Sequence, residues 1–334
     1  MKPNIFDIAT KELNQDAFIT WLLQFADSKF KTVDSLLNEC GKTFVHQLIK
    51  KQLPNFDEQI LKVNAGRQWE NIDVWAEVND KYLIIIEDKT YTSHHSNQLT
   101  RYKNKAEKWC SNNGYEKPIC IYLKTGNESQ SSLAHIEKQG FAIFSRLDFI
   151  NLLDEFKDID NDIFRDFYER LKRIEKSNNE FENKLIKDWN GNDWQGFFQF
   201  LEKEIKIVDW YYVNNPSGGF WNAVLNWDYW GIYPAYLQIE QGKLCFKIST
   251  DINMPENTTR SEVRNKLCNL ILKKSREFGF ENINRPSRFG NGKYMTVAVV
   301  KKENWLGADD TILDKETVVK TLNNYLTFLK QVIK

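Results

Sequence analysis

The chain has 334 residues, and its 46 lysine and arginine side chains balance 46 aspartate and glutamate side chains, so its formal net charge is zero. Hydrophobic residues make up 41% and charged residues 28%, which excludes an intrinsically disordered chain and a collagen-like one. The longest apolar runs, such as residues 83–86, are far too short to span a membrane, and we expect no N-terminal signal peptide.

The five cysteines are odd in number and widely scattered, and no two of them form a C-x-x-C pair. This pattern excludes a disulfide framework and a zinc-cluster protein. It predicts free thiols and therefore a cytoplasmic location, where the environment is reducing. The five are Cys40, Cys110, Cys120, Cys245 and Cys268.

The first half of the chain predicts an α/β fold, in which helices flank a mixed β-sheet. Apolar residues recur at helical spacing in some segments, and other segments are short β-prone runs bounded by turn signals. The run 82–86 is so apolar that it predicts a strand buried on both faces in the middle of the sheet. In chain order we predict helices over 10–25 and 32–53, a strand over 59–63, a hairpin over 70–88, a helix over 95–110, a strand over 118–123, a polar loop over 126–132, a strand over 141–144, and helices over 145–156 and 162–174.

The second half predicts a smaller α+β domain with an antiparallel sheet, because strand-like runs alternate there with glycine turns. The predicted elements are strands over 210–213, 220–227, 236–240 and 243–249, a helix over 260–278, a strand over 295–300 and a helix over 318–333. The chain is thus predicted to have three parts: a first domain over 1–178, a helical connector over 179–207 and an α+β domain over 208–334.

Asp73 and the tripeptide Glu87-Asp88-Lys89 form the candidate site. Two nearby carboxylates make a hard oxygen site suited to Mg²⁺ or Mn²⁺. A lysine two residues past the second carboxylate projects on the same side of an extended strand. There it can hold an attacking water and offset charge in the transition state of phosphodiester hydrolysis. The alternative is a structural salt bridge at the end of a strand.

The acid-x-Lys pattern gains weight from its position in the chain. Residues 182–184 and 204–206 match it too, but they lie in segments predicted to be helical and exposed. Glu87 instead ends a strongly apolar strand, where burying carboxylates and an ammonium is costly without a purpose.

The register of the hairpin decides whether the two carboxylates meet. A three-residue loop over 79–81 places Asp73 opposite Glu87 on one face of the sheet, with Cβ atoms about 5 Å apart. A two-residue loop shifts the register by one and sends the carboxylates to opposite faces. A metal site therefore requires the three-residue loop or a compensating bulge.

These residues resemble the PD-(D/E)XK nuclease superfamily, which has the restriction-endonuclease-like fold. In that pattern Asp73 is the acid on a strand, and Glu87-Asp88-Lys89 is the acid-x-Lys element. The following helix carries Gln98 and Tyr102, and a glutamine followed four residues later by tyrosine is a feature of one bacterial branch. That branch also has an acid on an N-terminal helix, which Glu12 matches.

The resemblance covers roughly residues 4–175 and leaves the C-terminal domain unexplained. Ile72 replaces the proline that is common before the first acid, and Asn71 and Asp88 stand where arginine and asparagine are frequent. The pair His94-His95 follows the candidate strand, where it lies either in an exposed loop or against phosphate.

The resemblance implies that Asp73 and Glu87 are metal ligands and that the carbonyl of Asp88 is a third candidate ligand. Lys89 would position the nucleophile. The three ligands would together hold one Mg²⁺ or Mn²⁺ ion.

Three further residues would complete the site by the same resemblance. Glu12 would bind a second metal or orient water, with Asp16 one turn later as the alternative. Gln98 and Tyr102, one helical turn apart, would face the site. The competing interpretations are an exposed helix acid for Glu12 and simple helix packing for the other two.

Basic residues concentrate in the C-terminal domain. Residues 257–302 carry eleven basic side chains against three acidic ones, which makes this segment a candidate polyanion-binding face. A solvated helix face with its loops is the alternative. The candidate nucleic-acid contacts are Arg260, Arg264, Lys273, Lys274, Arg285 and Arg288.

Aromatic residues are dense in the same domain, over 210–230, where they either stack on bases or sugars or form the core. They are Trp210, Tyr211, Tyr212, Trp221, Trp227, Tyr229 and Trp230.

Together these observations predict a Mg²⁺-dependent (or Mn²⁺-dependent) endonuclease that hydrolyses DNA, with DNA favoured over RNA. The resemblance implies a role in bacterial defence against foreign DNA, and a homodimer is a common state where both strands are cut. One alternative is a non-catalytic nucleic-acid-binding or sensor module on the same fold. Another is a sugar- or peptide-binding protein built on the aromatic domain.

Overall fold

Two β-sheets organise the chain, one in each of two structural units. The computed structural model describes residues 2–90, 97–215 and 218–334, so His94 and His95 lie outside the described residues. The first unit comprises the chain up to residue 128 together with residues 132–176, and the second comprises residues 129–131 and 177–334. The predicted connector over 179–207 lies in the second unit, and the three-part division stays a prediction.

The first sheet has five strands in the order β1-β2-β3-β4-β5. The first three pair antiparallel, and β3, β4 and β5 pair parallel. The elements are α1 Ile5–Ile8, α2 Glu12–Phe25, α3 Ser35–Lys50, β1 Val63–Trp69, β2 Ile72–Val78, β3 Tyr82–Lys89, α4 Gln98–Asn113, β4 Ile119–Lys124, α5 Gln130–Lys138, β5 Ala142–Ser145, α6 Arg146–Glu155 and α7 Asp162–Asn179. The predicted α/β fold with a mixed sheet is confirmed.

Strand β3 lies in the centre of this sheet, and all eight of its residues are buried, as its apolar run predicts. Ile84 and Ile86 belong to the hydrophobic core that includes residues of α2 and α3. Leu83 and Ile85 face the other way and share a core with Leu99 of α4. The sheet therefore separates an α2 face from an α4 face, and alternate residues of β3 point to each.

The segment after β4 passes so close to the end of β3 that residue 126 must be glycine. A Cβ atom on Gly126 would lie 1.7 Å from the carbonyl oxygen of Thr90. We expect Gly126→Ala to lower the free energy of unfolding by about 2 kcal/mol or more, because backbone must move to admit the methyl group. For a unit of this size, that change lowers the Tm by about 4–8 °C in thermal denaturation followed by circular dichroism.

The control for this prediction is Gly292→Ala. A Cβ atom on Gly292 would meet no described atom within 4 Å, so its melting temperature should stay near that of the unmodified protein. Equal shifts in the two variants would contradict the steric explanation.

The second unit contains an antiparallel sheet of six strands in the order β11-β10-β9-β7-β6, and β8 pairs with β9. Its core lies between this sheet and helices α8, α9 and α10. The elements are α8 Gly191–Glu204, β6 Asp209–Val213, β7 Phe220–Val224, β8 Asp228–Trp230, β9 Tyr233–Glu240, β10 Lys243–Ser249, α9 Arg260–Glu277, β11 Tyr294–Val300 and α10 Lys315–Val332. The predicted antiparallel sheet is confirmed.

Some sequence-based boundaries are wrong for identifiable reasons. The first strand is Val63–Trp69 rather than 59–63, because this edge strand is polar and mostly exposed on one face. Helix Gln130–Lys138 begins inside the predicted loop over 126–132, since only one of its side chains, Ile136, is buried. The predicted strand over 220–227 ends at Val224, and a separate strand begins at Asp228.

Two predictions about the whole chain can be compared with the structure directly. All five cysteines are buried and free, as the sequence predicts. Across the described ranges, each helix is too short or too polar to cross a membrane.

Candidate active site

The hairpin of β2 and β3 has the register that a metal site requires. Its loop over 79–81 has three residues, and the pairs run from Val78 opposite Tyr82 to Val74 opposite Ile86. One residue beyond the last of these pairs, the register leads to Asp73 and Glu87. Glu87 alternates with Leu83 and Ile85 and so lies on the α4 face, and Asp73 is close enough to share contacts with Lys89.

The ammonium group of Lys89 lies between these two carboxylates. Its Nζ atom is 2.6 Å from Oε1 of Glu87 and 3.3 Å from Oδ2 of Asp73. The backbone N–H of Asp88 also donates to Oδ2 of Asp73, at 3.0 Å, which holds that carboxylate against β3. The predicted trio of two carboxylates and one lysine is thus brought together on one face of the sheet.

Burial sets the electrostatics of the trio. The side chain of Glu87 is fully buried, and burial together with the negative charge of Asp73 raises the pKa of Glu87 above its ordinary value. Burial acts to lower the pKa of Lys89, but the charges of Glu87 and Asp73 outweigh it and raise that pKa overall. Lys89 therefore stays protonated at neutral pH and is held in place by both carboxylates.

Helix α4 contributes the two predicted residues Gln98 and Tyr102. The Nε2 group of Gln98 donates to Oε1 of Glu87 at 2.9 Å and to the hydroxyl oxygen of Tyr102 at 3.0 Å. Tyr102 is buried between α4 and the sheet. Gln98 therefore contacts a predicted metal ligand directly, and Tyr102 contacts Gln98.

Asp88 points to the opposite face of the sheet. Its buried carboxylate accepts a hydrogen bond from Nε2 of Gln15 on α2 at 2.6 Å, and it lies beside the carboxyl group of Asp16. Burial, and then the charge of Asp16, raises the pKa of Asp88. Its backbone carbonyl is on the site side, where it accepts from Nζ of Lys89 at 2.9 Å. As a metal ligand, Asp88 is thus available through its carbonyl and not through its side chain.

Glu12 and Asp16 lie on α2 but in different surroundings. Oε1 of Glu12 accepts from the backbone N–H of Thr90 at 3.0 Å, so Glu12 lies at the end of β3 beside the site. Asp16 is buried against Asp88, and burial followed by the charge of Asp73 raises its pKa to about 7. Both acids therefore lie near the end of β3, and the assignment of Glu12, with Asp16 as its alternative, stays a prediction.

Strand β4 places further polar residues on the α4 face, which the sequence analysis missed. The parallel register puts Tyr122 beside Glu87 and Lys124 beside Lys89. Nζ of Lys124 lies 3.0 Å from Oε2 of Glu128, and the hydroxyl of Tyr122 donates to the same oxygen at 3.0 Å. Lys124 could have been recognised from the sequence, because it is a lysine at the end of a strand that is otherwise apolar and fully buried.

The residues present fit a hard divalent cation. Asp73 and Glu87 supply carboxylate oxygens, which Mg²⁺ and Mn²⁺ prefer. Oε2 of Glu87 and Oε1 of Gln98 are buried, and neither receives a hydrogen bond from any described residue. Such acceptors are costly to bury unless a donor or cation satisfies them. Over the same described residues, no group of three aspartate, glutamate, histidine or cysteine side chains is arranged to hold a metal.

The six predicted nucleic-acid contacts do not form one cluster. Arg260 and Lys274 are separated by about 21 Å along α9, at 1.5 Å per residue. The guanidinium of Arg264 is buried, donates to the carbonyl of Gly290 at 2.7 Å and lies 4.4 Å from the ring centroid of Phe289.

Because Arg264 is held inside the second unit, it cannot be presented to a polyanion as predicted. Lys274 pairs with Glu277 at 2.6 Å. The exposed members of the predicted set are Arg260, Lys273, Arg285 and Arg288.

Comparison with known proteins identifies the class of molecule to which this site belongs. Residues 3–191 match the PD-(D/E)XK nuclease superfamily, and the chain belongs to that superfamily. No curated protein and no solved structure matches the chain. Members of the superfamily are generally nucleases and typically use divalent metals, so nucleic acid is the implied substrate.

Proposed function

We propose that the protein is a Mg²⁺- or Mn²⁺-dependent nuclease that hydrolyses DNA phosphodiester bonds. The observation that carries the proposal is the convergence of Asp73, Glu87 and Lys89 on one face of the sheet, at the end of its central strand. The superfamily match over residues 3–191 supports the same chemistry.

Each residue has a separate task in this proposal. Asp73, Glu87 and the carbonyl of Asp88 would hold the metal, which polarises the phosphate and lowers the pKa of a bound water. Lys89 holds the attacking water and offsets negative charge as it develops on the phosphate oxygens. Its ammonium is well suited to this task, because the surrounding carboxylates keep it protonated.

The surrounding residues position the ligands. Gln98 donates to Glu87 and so orients that carboxylate, and Tyr102 accepts from Gln98 and limits its rotation. Glu12 holds the end of β3 through the N–H of Thr90, from which it can orient water or a second cation. These contacts explain why a helix from each side of the sheet takes part.

A non-catalytic module on the same fold is less well supported. All three members of the acid and lysine trio are retained, and they are in contact with one another. The buried oxygen of Glu87 that receives no hydrogen bond from a described residue is an unnecessary cost in a purely structural salt bridge.

A plasmid-nicking assay tests the proposal. The full-length protein is incubated with supercoiled DNA in Mg²⁺, in Mn²⁺ and in EDTA, and single-stranded DNA and RNA are run in parallel. We expect conversion of the plasmid to nicked or linear forms with either metal and none with EDTA. Cleavage that survives EDTA, or no cleavage of any substrate with either metal, would refute the proposal. Cleavage of RNA alone would refute the choice of DNA.

The remaining details stay predictions from the sequence. They are the role in defence against foreign DNA, the cytoplasmic location and the homodimer. Analytical ultracentrifugation with and without DNA measures the last of these.

A further inference from the structure

Residues 284–293 form a mostly exposed loop between α9 and β11, and both of its ends are fixed to the second sheet. We call this segment the basic loop. At its start, Asn284 exchanges two backbone hydrogen bonds with Val299 of β11, both at 2.8 Å. At its end, the carbonyl of Lys293 accepts from the backbone N–H of Thr250 at 2.7 Å and from the hydroxyl of the same residue at 3.1 Å. The loop is therefore anchored on two neighbouring strands.

A buried arginine holds the middle of the basic loop. Arg264 on α9 is 7% exposed, and its Nη1 group donates to the carbonyl of Gly290 and to Oδ1 of Asn291, both at 2.7 Å. Its guanidinium also lies 4.4 Å from the ring centroid of Phe289. A buried guanidinium is costly unless its donors are satisfied, and these contacts satisfy them. Arg264 thus fixes the shape of the loop instead of contacting nucleic acid itself.

The same phenylalanine ring holds a second arginine at the surface. The guanidinium of Arg285 lies over the ring of Phe289, 4.7 Å from its centroid. A guanidinium over a ring still presents N–H donors at its edge, where a phosphate can accept two of them at once. Arg285 is exposed, and it forms no ion pair with any described carboxylate. Its charge is therefore positioned in advance for an anion.

The positive charge of the basic loop is not balanced by acids of the same segment. None of residues 282–302 is an aspartate or a glutamate. Lys293 is paired with Asp251 at 2.7 Å, whereas Arg288 is exposed and has no carboxylate partner among the described residues. Arg285 and Arg288 therefore carry the uncompensated charge of the loop.

The surroundings of the basic loop favour an extended anion over a small enclosed one. A Cβ atom on Gly290 or Gly292 would meet no described atom within 4 Å, so this part of the loop protrudes. Phe289 is half-buried and already contacted by two guanidiniums, so its ring is not available to stack on an unpaired base. Protruding arginines without an available ring suit the phosphates of a backbone and not the bases.

We propose that the basic loop binds the phosphate backbone of duplex DNA through Arg285 and Arg288. A duplex carries one negative charge per about 1.7 Å of its axis, so it offers phosphates to both arginines whatever its sequence. Such contacts position the nucleic acid and do not read its sequence. The choice of DNA rests on the proposed function, but binding to the loop requires neither a metal nor cleavage.

The test is fluorescence anisotropy of a labelled DNA duplex, titrated with the full-length protein in EDTA. We expect Arg285→Ala and Arg288→Ala each to weaken binding roughly tenfold, because each removes charge-assisted hydrogen bonds to phosphate. Each should also reduce the slope of log affinity against log salt by about 0.9, the value for one phosphate of a duplex. Full affinity in the variant that carries both substitutions would overturn the proposal.

Replacing Phe289 with leucine tests the positioning of Arg285 separately from its charge. The change removes the ring and no charge, so we expect binding to weaken about threefold with an unchanged salt slope. Phe289→Tyr keeps the ring and should bind as the unmodified protein does. Circular dichroism monitors the fold of each variant. Full affinity in Phe289→Leu, or an equal loss in Phe289→Tyr, would contradict this role of the ring.

Arg276→Ala is the matched control. Arg276 is also an exposed arginine of α9, but it lies about 18 Å from Arg264 along the helix axis, at 1.5 Å per residue. Its loss removes the same charge and should leave the affinity for DNA unchanged. Equal weakening by Arg276→Ala and Arg285→Ala would indicate a general attraction to basic residues and would overturn the assignment to the loop.

Competition with unlabelled nucleic acids tests the choice of partner. Single-stranded DNA should compete less well than duplex DNA, because its phosphates release fewer counterions. Tighter binding of single-stranded DNA or of duplex RNA than of duplex DNA would overturn the choice of duplex DNA. Since these experiments contain no metal, they are independent of cleavage. If plasmid nicking fails while the loop variants lose affinity, the proposed nuclease function is refuted and the binding surface is supported.

Discussion

Replacing Lys89 with alanine is expected to lower the rate of DNA cleavage by about 10²–10³-fold or more, because it removes the ammonium that offsets charge in the transition state. The same change should leave Mn²⁺ binding intact or strengthen it. In the structure, the ammonium contacts both Glu87 and Asp73, so it competes with a cation for these carboxylates. Plasmid nicking measures the first effect, and isothermal titration calorimetry with Mn²⁺ measures the second.

Lys206→Ala is the control for this prediction. Lys206 belongs to an acid-x-Lys match outside the site and is exposed, so its loss should change neither cleavage nor Mn²⁺ binding. If Lys89→Ala cleaves DNA as fast as the unmodified protein, the assignment of Lys89 is wrong.

Replacing Glu87 with glutamine is expected to abolish cleavage and to weaken Mn²⁺ binding by more than about 100-fold. Mutating a partner that only orients a metal ligand typically costs 10–100-fold in metal affinity, so removing a ligand charge should cost more. Glutamine preserves the shape of the side chain and avoids burying a carboxylate, so the protein should stay folded. The variants of Lys89 and Glu87 would then share the loss of cleavage and differ in Mn²⁺ binding.

Glu77→Gln is the matched control for Glu87→Gln. Glu77 lies on β2 opposite Leu83, on the same face of the same sheet, and its carboxylate accepts from Asn64 at 3.1 Å. Its neutralisation should leave both Mn²⁺ affinity and cleavage unchanged. Mn²⁺ binding that is equally strong in Glu87→Gln and in the unmodified protein would exclude Glu87 as a ligand.

The sequence predicts the core of the candidate site well because its residues are close along the chain. Asp73 and Glu87 belong to one hairpin, and a loop of three residues sets the register that brings them to the same end of it. Gln98 and Tyr102 are one turn apart on a single helix, so their shared direction also follows from local geometry. The apolar run of β3 is also a local pattern, so it identifies the central strand from the sequence alone.

The sequence does not predict contacts between distant parts of the chain. Gln15 donates to Asp88 from another helix, and the side chain of Thr125 donates to Gln15 at 3.0 Å, but neither residue has a distinctive local pattern. Lys124 reaches the site face only through the parallel pairing of β4 with β3. The burial of Arg264 depends on a loop that folds back over it from residues 289–291.

The position of Lys89 affects the stability of the protein in the absence of a bound metal ion. Many small metalloproteins unfold when a chelator removes their ion, since the ion supplies much of the folding free energy. Here a side chain of the chain itself already balances the opposed carboxylates. Without the ion the protein would therefore lose activity but stay folded, and it would regain activity when the ion is added back.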